Sequence, residues 1–499
     1  LGKVAYFMQG NQGGLAGNLI SGEDLERIIK EELKLREVND PRAVAKVMIN
    51  QLRTRNFILC FMGADYYAFV HRTFLEYFCA WEFVRKFEKK QEISLEQLKT
   101  EVFGKHWPDE SWHEVLRLIV GMIDSIKAGE IIEYLMAQDG EGDELKNLFL
   151  AGDCLSEVRN RYEIQSTNTE LLNHFKDLIH YSKNRHKFHY SRFQAVVAVA
   201  THWQDHPDTL PLLQQLARYD QYWMVRRTAI QQLALGYKDH LDTLPLLQQL
   251  ASYDKEDVRR TAIEQLAQGY QDHPDTLALL QQSARFDQHS LVRCRAIILL
   301  AQGYKDHRDT LALLQQSARS DKDSRVRRTA LEQLAQGYQD HRDTLAILQE
   351  SARSDKNSSV RLTALEQLAQ GYQDHRDTLA ILQESVRSDK DSWLRSTAIE
   401  QLAQAWHDRV AWPTANQPWL WEFLCVRVAA LSEHRTLNDP FERDQDEDYD
   451  NVNPRQVALN AILKYYPNHS QTRSLLLDRA EHDPDPKLRE FAQEKLAKL

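Results

Sequence analysis

The chain has 499 residues, a length that predicts about three domains. Its formal net charge of −10 argues against a general polyanion binder, so a nucleic-acid role would need a local basic patch. Its 18 glycines and 13 prolines are roughly half the usual shares, which favours an all-helical protein. Five widely spaced cysteines indicate neither a disulfide framework nor a zinc site. No apolar run is long enough to span a membrane, so we expect a cytoplasmic protein without a bound metal.

The first 90 residues predict a small domain of two helices and a β-hairpin. Ser21 precedes acidic residues and apolar residues at helical spacing, and Pro41 occupies the first turn of a second helix. Residues 56–61 and 66–70 are short aromatic and branched runs on either side of a turn at 62–65, which is typical of a hairpin. This order predicts a winged-helix domain at residues 1–90. Because the chain starts at Leu1 with residues typical of a helix end, we also expect a fragment of a longer protein.

Residues 69–80 read Phe-Val-His-Arg-Thr-Phe-Leu-Glu-Tyr-Phe-Cys-Ala. They resemble the Phe-x-His-x-Thr-Phe-x-Glu-Tyr-Phe-x-Ala signature at the end of the winged-helix domain in NACHT-type STAND NTPases. The resemblance implies that residues 1–90 close an upstream NACHT module, which would bind ATP or ADP with magnesium in the full-length parent. It implies that His71 can reach the β-phosphate of bound ADP and hold the inactive state. It also allows the parent to oligomerise on activation, as part of bacterial signalling or antiphage defence.

The same segment has a simpler interpretation. His71 could be a capping or core histidine, and five aromatic residues are expected in the core: Phe69, Phe74, Tyr77, Phe78 and Trp81. The Walker A pattern Gly-x-x-x-x-Gly-Lys-Ser/Thr does not occur, because the glycine-rich residues 10–17 lack the lysine and the hydroxyl. We therefore expect this chain to have no enzyme activity and no cofactor of its own. Residues 91–168 show amphipathic helical patterns and are expected to form a helical connector.

An internal repeat dominates the rest of the chain. The tripeptide Asp-Thr-Leu begins at positions 208, 242, 275, 309, 343 and 377, so the period is 33 or 34 residues. Within one period, residues 310–319 and 326–338 each have the apolar spacing of a helix, with a polar turn between them. Such helical hairpins must stack to bury their apolar faces, which predicts an α-α superhelix over residues 169–406. Arg455 and Arg489 continue the period, and predict further hairpins at 455–499 after an irregular segment, 407–454, that contains an acidic loop.

The repeats resemble HEAT-type repeats. In that family, an Asp in the turn and an Arg at the start of the second helix form ladders between adjacent hairpins. The resemblance assigns this structural role to Asp321, Arg327, Asp355, Arg361, Asp389 and Arg395.

Two other patterns could suggest metal binding. A histidine recurs once per repeat, but stacked hairpins separate such residues by about 10 Å, too far for a shared metal. Four aspartates alternate between positions 444 and 450, but Tyr449 and Arg455 stand where an EF-hand loop needs Gly and Glu. We interpret them as a copied turn residue and a solvated acidic loop.

Candidate binding positions come from comparing the repeats with one another. Residues 317–350 and 351–384 differ at three positions only, all in the turn or the first turn of the second helix. Solenoids bind through surfaces built from one residue column per repeat, so these variable columns are candidates, with drift at exposed positions as the alternative. One repeat also carries apolar residues where others carry Glu or Gln, which is typical of a contact site or of packing under a loop. The candidates are Met224, Leu291, Cys294, Ile298, Leu299, Arg325, Arg328, Leu362 and Trp393.

These features favour the sensor half of a NACHT-type STAND protein, in which the solenoid binds a protein trigger and the winged helix relays it to the nucleotide module. One alternative is a free-standing HEAT-repeat scaffold or a protein like the phycobilin lyases, which also carry such repeats but lack the 69–80 signature. Another is DNA binding by the winged helix through Arg42, Lys46, Arg53 and Arg55. The net charge makes nucleic acid the less favoured partner.

Overall fold

The chain divides into two compact units, Leu1–Asp239 and His240–Leu499. Helices dominate both, and the described sheet consists of three short strands in the first unit. The predicted mainly helical class with a small β element is therefore confirmed. The predicted boundaries at residues 90, 168 and 406 stay predictions. The computed structural model describes residues 1–10, 18–55, 58–140, 145–180, 189–406, 419–429 and 453–498.

The first unit begins with helices around a small antiparallel sheet, in which β3 lies between β1 and β2. The Ser21 hydroxyl accepts a hydrogen bond from the Asp24 amide at 3.1 Å, and the second long helix begins at Pro41, so both predicted helix starts are confirmed. The elements are α1 (Gly2–Gly10), β1 (Ile20–Ser21), α2 (Gly22–Leu35), α3 (Pro41–Thr54), β2 (Leu59–Gly63), β3 (Tyr66–Phe69) and α4 (Arg72–Val84).

The predicted hairpin is β2–β3. Its turn has three successive residues with positive φ, 93° at Gly63, 49° at Ala64 and 60° at Asp65. Glycine adopts such angles without the steric cost that a side chain brings, which is why the reversal starts at Gly63.

The rest of the first unit is helical. Two π-helical turns, Arg85–Lys89 and Leu98–Phe103, and a 3₁₀ turn, Arg161–Ile164, interrupt the pattern. The predicted connector buries Trp112, Leu116 and Ile119 on one helix face. The helices are α5 (Leu95–Gln97), α6 (Gly104–His106), α7 (Glu110–Met122), α8 (Ser125–Met136), α9 (Lys146–Glu157), α10 (Gln165–His180), α11 (His189–His202), α12 (Thr209–Tyr219) and α13 (Trp223–Gly236).

The second unit is built from helical hairpins. Within each, an even-numbered helix packs on the following odd-numbered one, and successive odd-numbered helices from α15 to α23 pack on each other. The helices are α14 (Thr243–Tyr253), α15 (Glu256–Gly269), α16 (Pro274–Phe286), α17 (Ser290–Gly303), α18 (Arg308–Ser320), α19 (Ser324–Gly337), α20 (Arg342–Ser354), α21 (Ser358–Gly371), α22 (Arg376–Ser388), α23 (Ser392–Trp406), α24 (Trp419–Ala429), α25 (Pro454–Tyr465), α26 (Thr472–His482) and α27 (Pro486–Leu496).

The hairpin that the sequence predicts at 310–319 and 326–338 forms as α18 and α19, each starting about one turn or less earlier than expected. Val326, Ala330, Leu331 and Leu334 are buried along α19, as the apolar spacing predicts. The acidic loop at 442–450 lies outside the described residues.

Candidate partner-binding surface

An arginine ladder links neighbouring hairpins of the second unit. Arg327, near the start of α19, donates from Nε and Nη2 to the two carboxylate oxygens of Asp355, each at 2.7 Å. Its Nη1 donates to the backbone oxygen of Asp321 at 2.8 Å. One guanidinium therefore joins the turn of its own hairpin to the turn of the next. The same bidentate contact joins three further pairs, Arg259–Asp287, Arg293–Asp321 and Arg361–Asp389.

The ladder is largely shielded from water. The side chains of Arg327 and Asp355 are only 4% and 9% exposed. Burial raises the pKa of the Asp355 carboxyl, but hydrogen bonds from Arg327 and from the Asn357 amide outweigh burial and lower it below its usual value. Both partners are thus charged at neutral pH, and a paired buried charge fixes the spacing of the hairpins.

The ladder contacts are also present at the ends of the repeat pattern. Arg395 donates from Nη1 to the Asp389 backbone oxygen at 2.6 Å. In the first unit, Arg192 contacts Asp220 at 2.7 Å.

The first variable column contains Leu291, Arg325 and Trp393, each two residues before a ladder arginine. These residues lie at helix starts that the ladder holds in place. In the second unit, Trp393 is 51% exposed and Leu291 38% exposed. The Arg325 side chain is 56% exposed. The structure therefore presents residues of different chemistry at equivalent, supported and accessible positions.

Arg325 has local partners as well. Its Nη2 donates to the Ser290 hydroxyl of the preceding repeat at 2.9 Å and lies 3.3 Å from Asp323. Burial raises the pKa of Asp323, but hydrogen bonds from Arg325 and Ser290 outweigh burial and hold it at about 2. These contacts restrict the conformation of the Arg325 side chain although it is exposed to solvent.

The second variable column is one turn further along, and its members have different environments. Arg328 is exposed and lies 3.6 Å from Glu332, whereas Cys294 is half-buried. Leu362, in the same column, is only 5% exposed. Little of its side chain is therefore accessible to a partner, in contrast to Arg328, and its role as a partner-binding residue stays a prediction.

The two extra apolar residues of one repeat, Ile298 and Leu299, differ in how far they are buried. Ile298 is half-buried on α17, in the register that Glu264 and Glu332 occupy on the helices to either side. Leu299 is only 7% exposed, which favours packing, the alternative stated for this repeat, and leaves its role as a contact residue a prediction. Met224 is half-buried in the first unit.

The sequence analysis missed an ion pair beside Ile298. The Nε atom of Arg295 lies 2.7 Å from a carboxylate oxygen of Glu264 on the neighbouring helix. The equivalent positions carry Thr261 and Thr329, so comparing this column as well would have found the exception.

His71 is the N-cap residue of α4 and has an extended backbone, with φ of −128° and ψ of 140°. Its side chain is exposed and makes no capping hydrogen bond to the residues described, so neither a core nor a capping role fits it. Its ring lies 6.1 Å from that of Phe74.

The aromatic residues around His71 are only partly in the core. Phe69 is buried and stacks on Phe78 with ring centroids 6.0 Å apart. Phe74 and Tyr77 are exposed by 38% and 45%, so the prediction that they are core residues is wrong. They face outward because α4 uses Leu75, Cys79 and Ala80 for its buried side.

The repeated histidine is a capping residue, as a turn role implies. His307 Nδ1 accepts the Asp309 amide at 3.3 Å at the start of α18, and His341 does the same for Asp343. The histidine, and not Asp309 or Thr310, supplies the side-chain cap of α18. Within the described ranges, no group of three or more histidine, cysteine, aspartate or glutamate side chains could hold a metal ion.

No described helix is both long enough and apolar enough to cross a membrane.

Among curated protein sequences, none matches the chain significantly. Of solved structures, the karyopherin Kap121p bound to the SUMO protease Ulp1p aligns at a TM-score of 0.44 and 14% identity, covering 95% of this chain and 52% of Kap121p. Kap95p with RanGDP aligns at 0.43 and 12% identity, covering 96% of this chain and 73% of Kap95p. The chain spans about half the length of Kap121p.

A family model for HEAT repeats matches residues 209–301, 284–369 and 311–403. These matches coincide with the helical hairpins and with the arginine ladder described above. The resemblance inferred from the repeat pattern is confirmed: residues 209–403 of this chain are HEAT repeats.

Proposed function

We propose that the HEAT repeats of the second unit bind a protein partner through the first variable column, with Trp393, Arg325 and Leu291 as contact residues. One observation carries this proposal. The buried Arg–Asp pairs of the ladder recur in each repeat, whereas the exposed residues beside them differ in side-chain type from one repeat to the next. A rigid support and accessible, varied side chains are the properties of a recognition surface. The proposed role is binding, and it uses no catalytic residue.

Site-specific photo-crosslinking tests this surface. A photoreactive residue at position 393 or 325 should form a discrete adduct with a protein partner in source cells. Position 342 provides the matched control, because Arg342 is 91% exposed and lies on the first helix of its hairpin. The same adduct in equal yield at 342 would contradict the proposal.

A charge substitution provides the complementary test. Trp393→Glu should weaken partner capture by about tenfold or more, since aromatic contacts dominate many interfaces. The circular dichroism spectrum should stay unchanged because the side chain is half exposed. A loss of helical signal would instead show that Trp393 supports the fold.

For the N-terminal part we propose the end of a NACHT module in a STAND NTPase, with residues 1–90 as its winged-helix domain. The signature at 69–80 supports this, and so does the exposed position of His71, because a histidine at a helix start can donate to a phosphate. In the parent protein, which we assign to the cytoplasm and to antiphage defence, the repeats would sense the trigger and this domain would relay it to bound ADP.

Sequencing the reading frame upstream of Leu1 tests the origin directly, because this proposal requires a Walker lysine there. In the full-length protein, His71→Ala should lower the fraction that retains ADP through purification. His482→Ala is the control, because His482 is 69% exposed and lies in the second unit. Equal retention in both variants would contradict the role of His71 without affecting the partner surface.

A further inference from the structure

An aromatic residue recurs at the end of the first helix in the early repeats. The position lies eleven residues after the aspartate of each Asp-Thr-Leu tripeptide, and its six copies are Tyr219, Tyr253, Phe286, Ser320, Ser354 and Ser388. Tyr219 belongs to the first unit, whereas Tyr253 ends α14 and Phe286 ends α16 in the second. Two neighbouring hairpins of the second unit therefore carry an aromatic residue where the later hairpins carry serine.

Both aromatic side chains of the second unit project into solvent. Tyr253 is 89% exposed and Phe286 is 74% exposed, although contact between water and such large apolar surfaces is unfavourable. Both residues also line one cleft, of about 300 Å³, between the ends of α14 and α16. Exposed apolar residues that are grouped in this way, and not scattered singly, mark binding sites.

The cleft carries little net charge. Three charged residues line it, and two of them, Arg259 and Asp287, form a ladder pair at 2.6 Å in which both side chains are largely buried. The third, Asp254, accepts a hydrogen bond from the Lys255 amide at 2.7 Å. The equivalent cleft between α18 and α20 has serines in place of the aromatic residues and is lined by seven charged residues. The aromatic cleft is therefore the one that suits an uncharged ligand.

The spacing of the two aromatic residues selects the conformation of that ligand. Equivalent residues of adjacent hairpins are roughly 8 to 10 Å apart, the interaxial distance of packed helices. A polyproline II helix has three residues per turn and rises about 3.1 Å per residue, so it presents the same face every ~9.3 Å. A β-strand presents one face every ~6.7 Å, which does not match this spacing. One turn of polyproline II helix per hairpin therefore brings a proline ring to each aromatic side chain.

The polar side chains of the cleft favour the same ligand. Gln282 and Gln288 are exposed there, and each side-chain amide can donate hydrogen bonds to carbonyl oxygens. The carbonyls of a polyproline II helix make no internal hydrogen bonds and are free to accept them. An α-helix also places residues i and i+7 about 10 Å apart, but it uses its carbonyls internally. Grooves lined by aromatic residues are a known way of binding proline-rich segments.

We propose that the cleft between α14 and α16 binds a proline-rich segment in the polyproline II conformation. Tyr253 and Phe286 each pack against one turn of the segment, and Gln282 and Gln288 donate to its carbonyls. No two of the 13 prolines in this chain are adjacent, so the segment belongs to a partner protein. The cleft shares no residue with the first variable column, so this site goes beyond that surface and either can fail without the other.

Fluorescence anisotropy of a labelled peptide, titrated with the whole chain, tests the site. The probe is a peptide of nine L-prolines, about 28 Å of polyproline II helix. Tyr253→Ala/Phe286→Ala should bind it at least about tenfold more weakly, because buried aromatic contacts dominate many interfaces. Ser320→Ala/Ser354→Ala is the matched control, since it truncates the same exposed column in the later cleft, and it should bind like wild type.

Two further probes test the conformation and the register on the wild-type protein, independently of how any variant folds. A peptide of nine D-prolines has the same composition but forms the helix of opposite hand, so it should show no saturable binding. A peptide of three L-prolines spans one turn and reaches one aromatic residue, so it should bind at least about tenfold more weakly than the longer peptide.

Four outcomes would overturn the proposal. They are absence of binding by the nine-L-proline peptide, equal affinity for the D-proline peptide, an equal loss in the serine control, and equal affinity for the three-proline peptide. A loss caused by Trp393→Glu but not by Tyr253→Ala/Phe286→Ala would overturn it as well, because it would place the peptide on the first variable column.

Discussion

At the scale of single residues, the ladder explains why arginine and not lysine recurs in the second helix. Arg327 uses three nitrogens at once, two on the Asp355 carboxylate and one on the backbone of its own turn. A lysine ammonium could not reach these three positions together, because it lacks the planar fork of the guanidinium. The copied residue is therefore a geometric connector between hairpins.

Replacing Arg327 should be costly because it leaves the Asp355 carboxylate buried without its main partner. We expect Arg327→Ala to lower the free energy of unfolding by about 3 kcal/mol in urea denaturation. Arg308→Ala is the control, since its side chain is 89% exposed, and it should cost less than about 0.5 kcal/mol. Similar losses in the two variants would mean that the ladder does not stabilise the repeats.

At the scale of the helix, the second helices carry a line of half-buried carboxylates. Burial raises the pKa of Glu332. Burial also raises the pKa of Glu366, and repulsion from Glu332 raises it further. These charged glutamates therefore destabilise the fold at neutral pH. Ile298 occupies the equivalent position in its own repeat, where it places no charge.

The pH dependence of this line can be predicted. A carboxyl whose pKa is raised on folding favours the folded state when protonated, so its contribution is lost as pH rises from the ordinary glutamate value through the raised one. Glu366→Gln should raise the thermal midpoint near pH 7 by no more than about 2 °C, because solvent screens a half-exposed pair. Near pH 3.5, below the ordinary glutamate pKa, the gain should vanish.

The control for this measurement is Glu490→Gln, which changes an exposed carboxyl of the same unit. It should leave the thermal midpoint unchanged at both pH values. A gain for Glu366→Gln that persists at low pH would show that amide packing, and not the charge, is responsible.

At the scale of the whole chain, the period carried most of what could be predicted. The 34-residue period puts an inward apolar residue at each position equivalent to Val326 or Leu334. It also puts an arginine equivalent to Arg327 against the turn of the next hairpin, so the structure of one hairpin predicts that of the other repeats. The environments of Leu299 and Leu362 could not be predicted, because polar residues hold the equivalent positions, the half-buried Gln333 for Leu299 and the exposed Arg328 for Leu362. Only the packing of adjacent helices decides how far each leucine is buried. The exposure of Phe74 and Tyr77 could not be predicted either, because aromatic composition alone does not say which face of α4 is buried.

A repeat array should tolerate the removal of one complete repeat. Deleting residues 351–384 places Asp389 where Asp355 stood, so Arg327 regains a carboxylate and the hairpins keep their alternation. Because each HEAT repeat contacts mainly its neighbours, we expect unchanged ellipticity per residue and a urea m-value that falls with the lost surface.

Deleting only residues 351–367 is the matched comparison. It removes the last turn of α20, most of α21 and the ladder arginine at position 361, which leaves the rest of α20 without its hairpin partner and an apolar face uncovered. That variant should lose helical signal and precipitate, whereas the complete deletion should stay folded. If the complete deletion unfolds as readily, the ladder and the hairpin spacing are not interchangeable between repeats, and each repeat depends on its own neighbours in sequence.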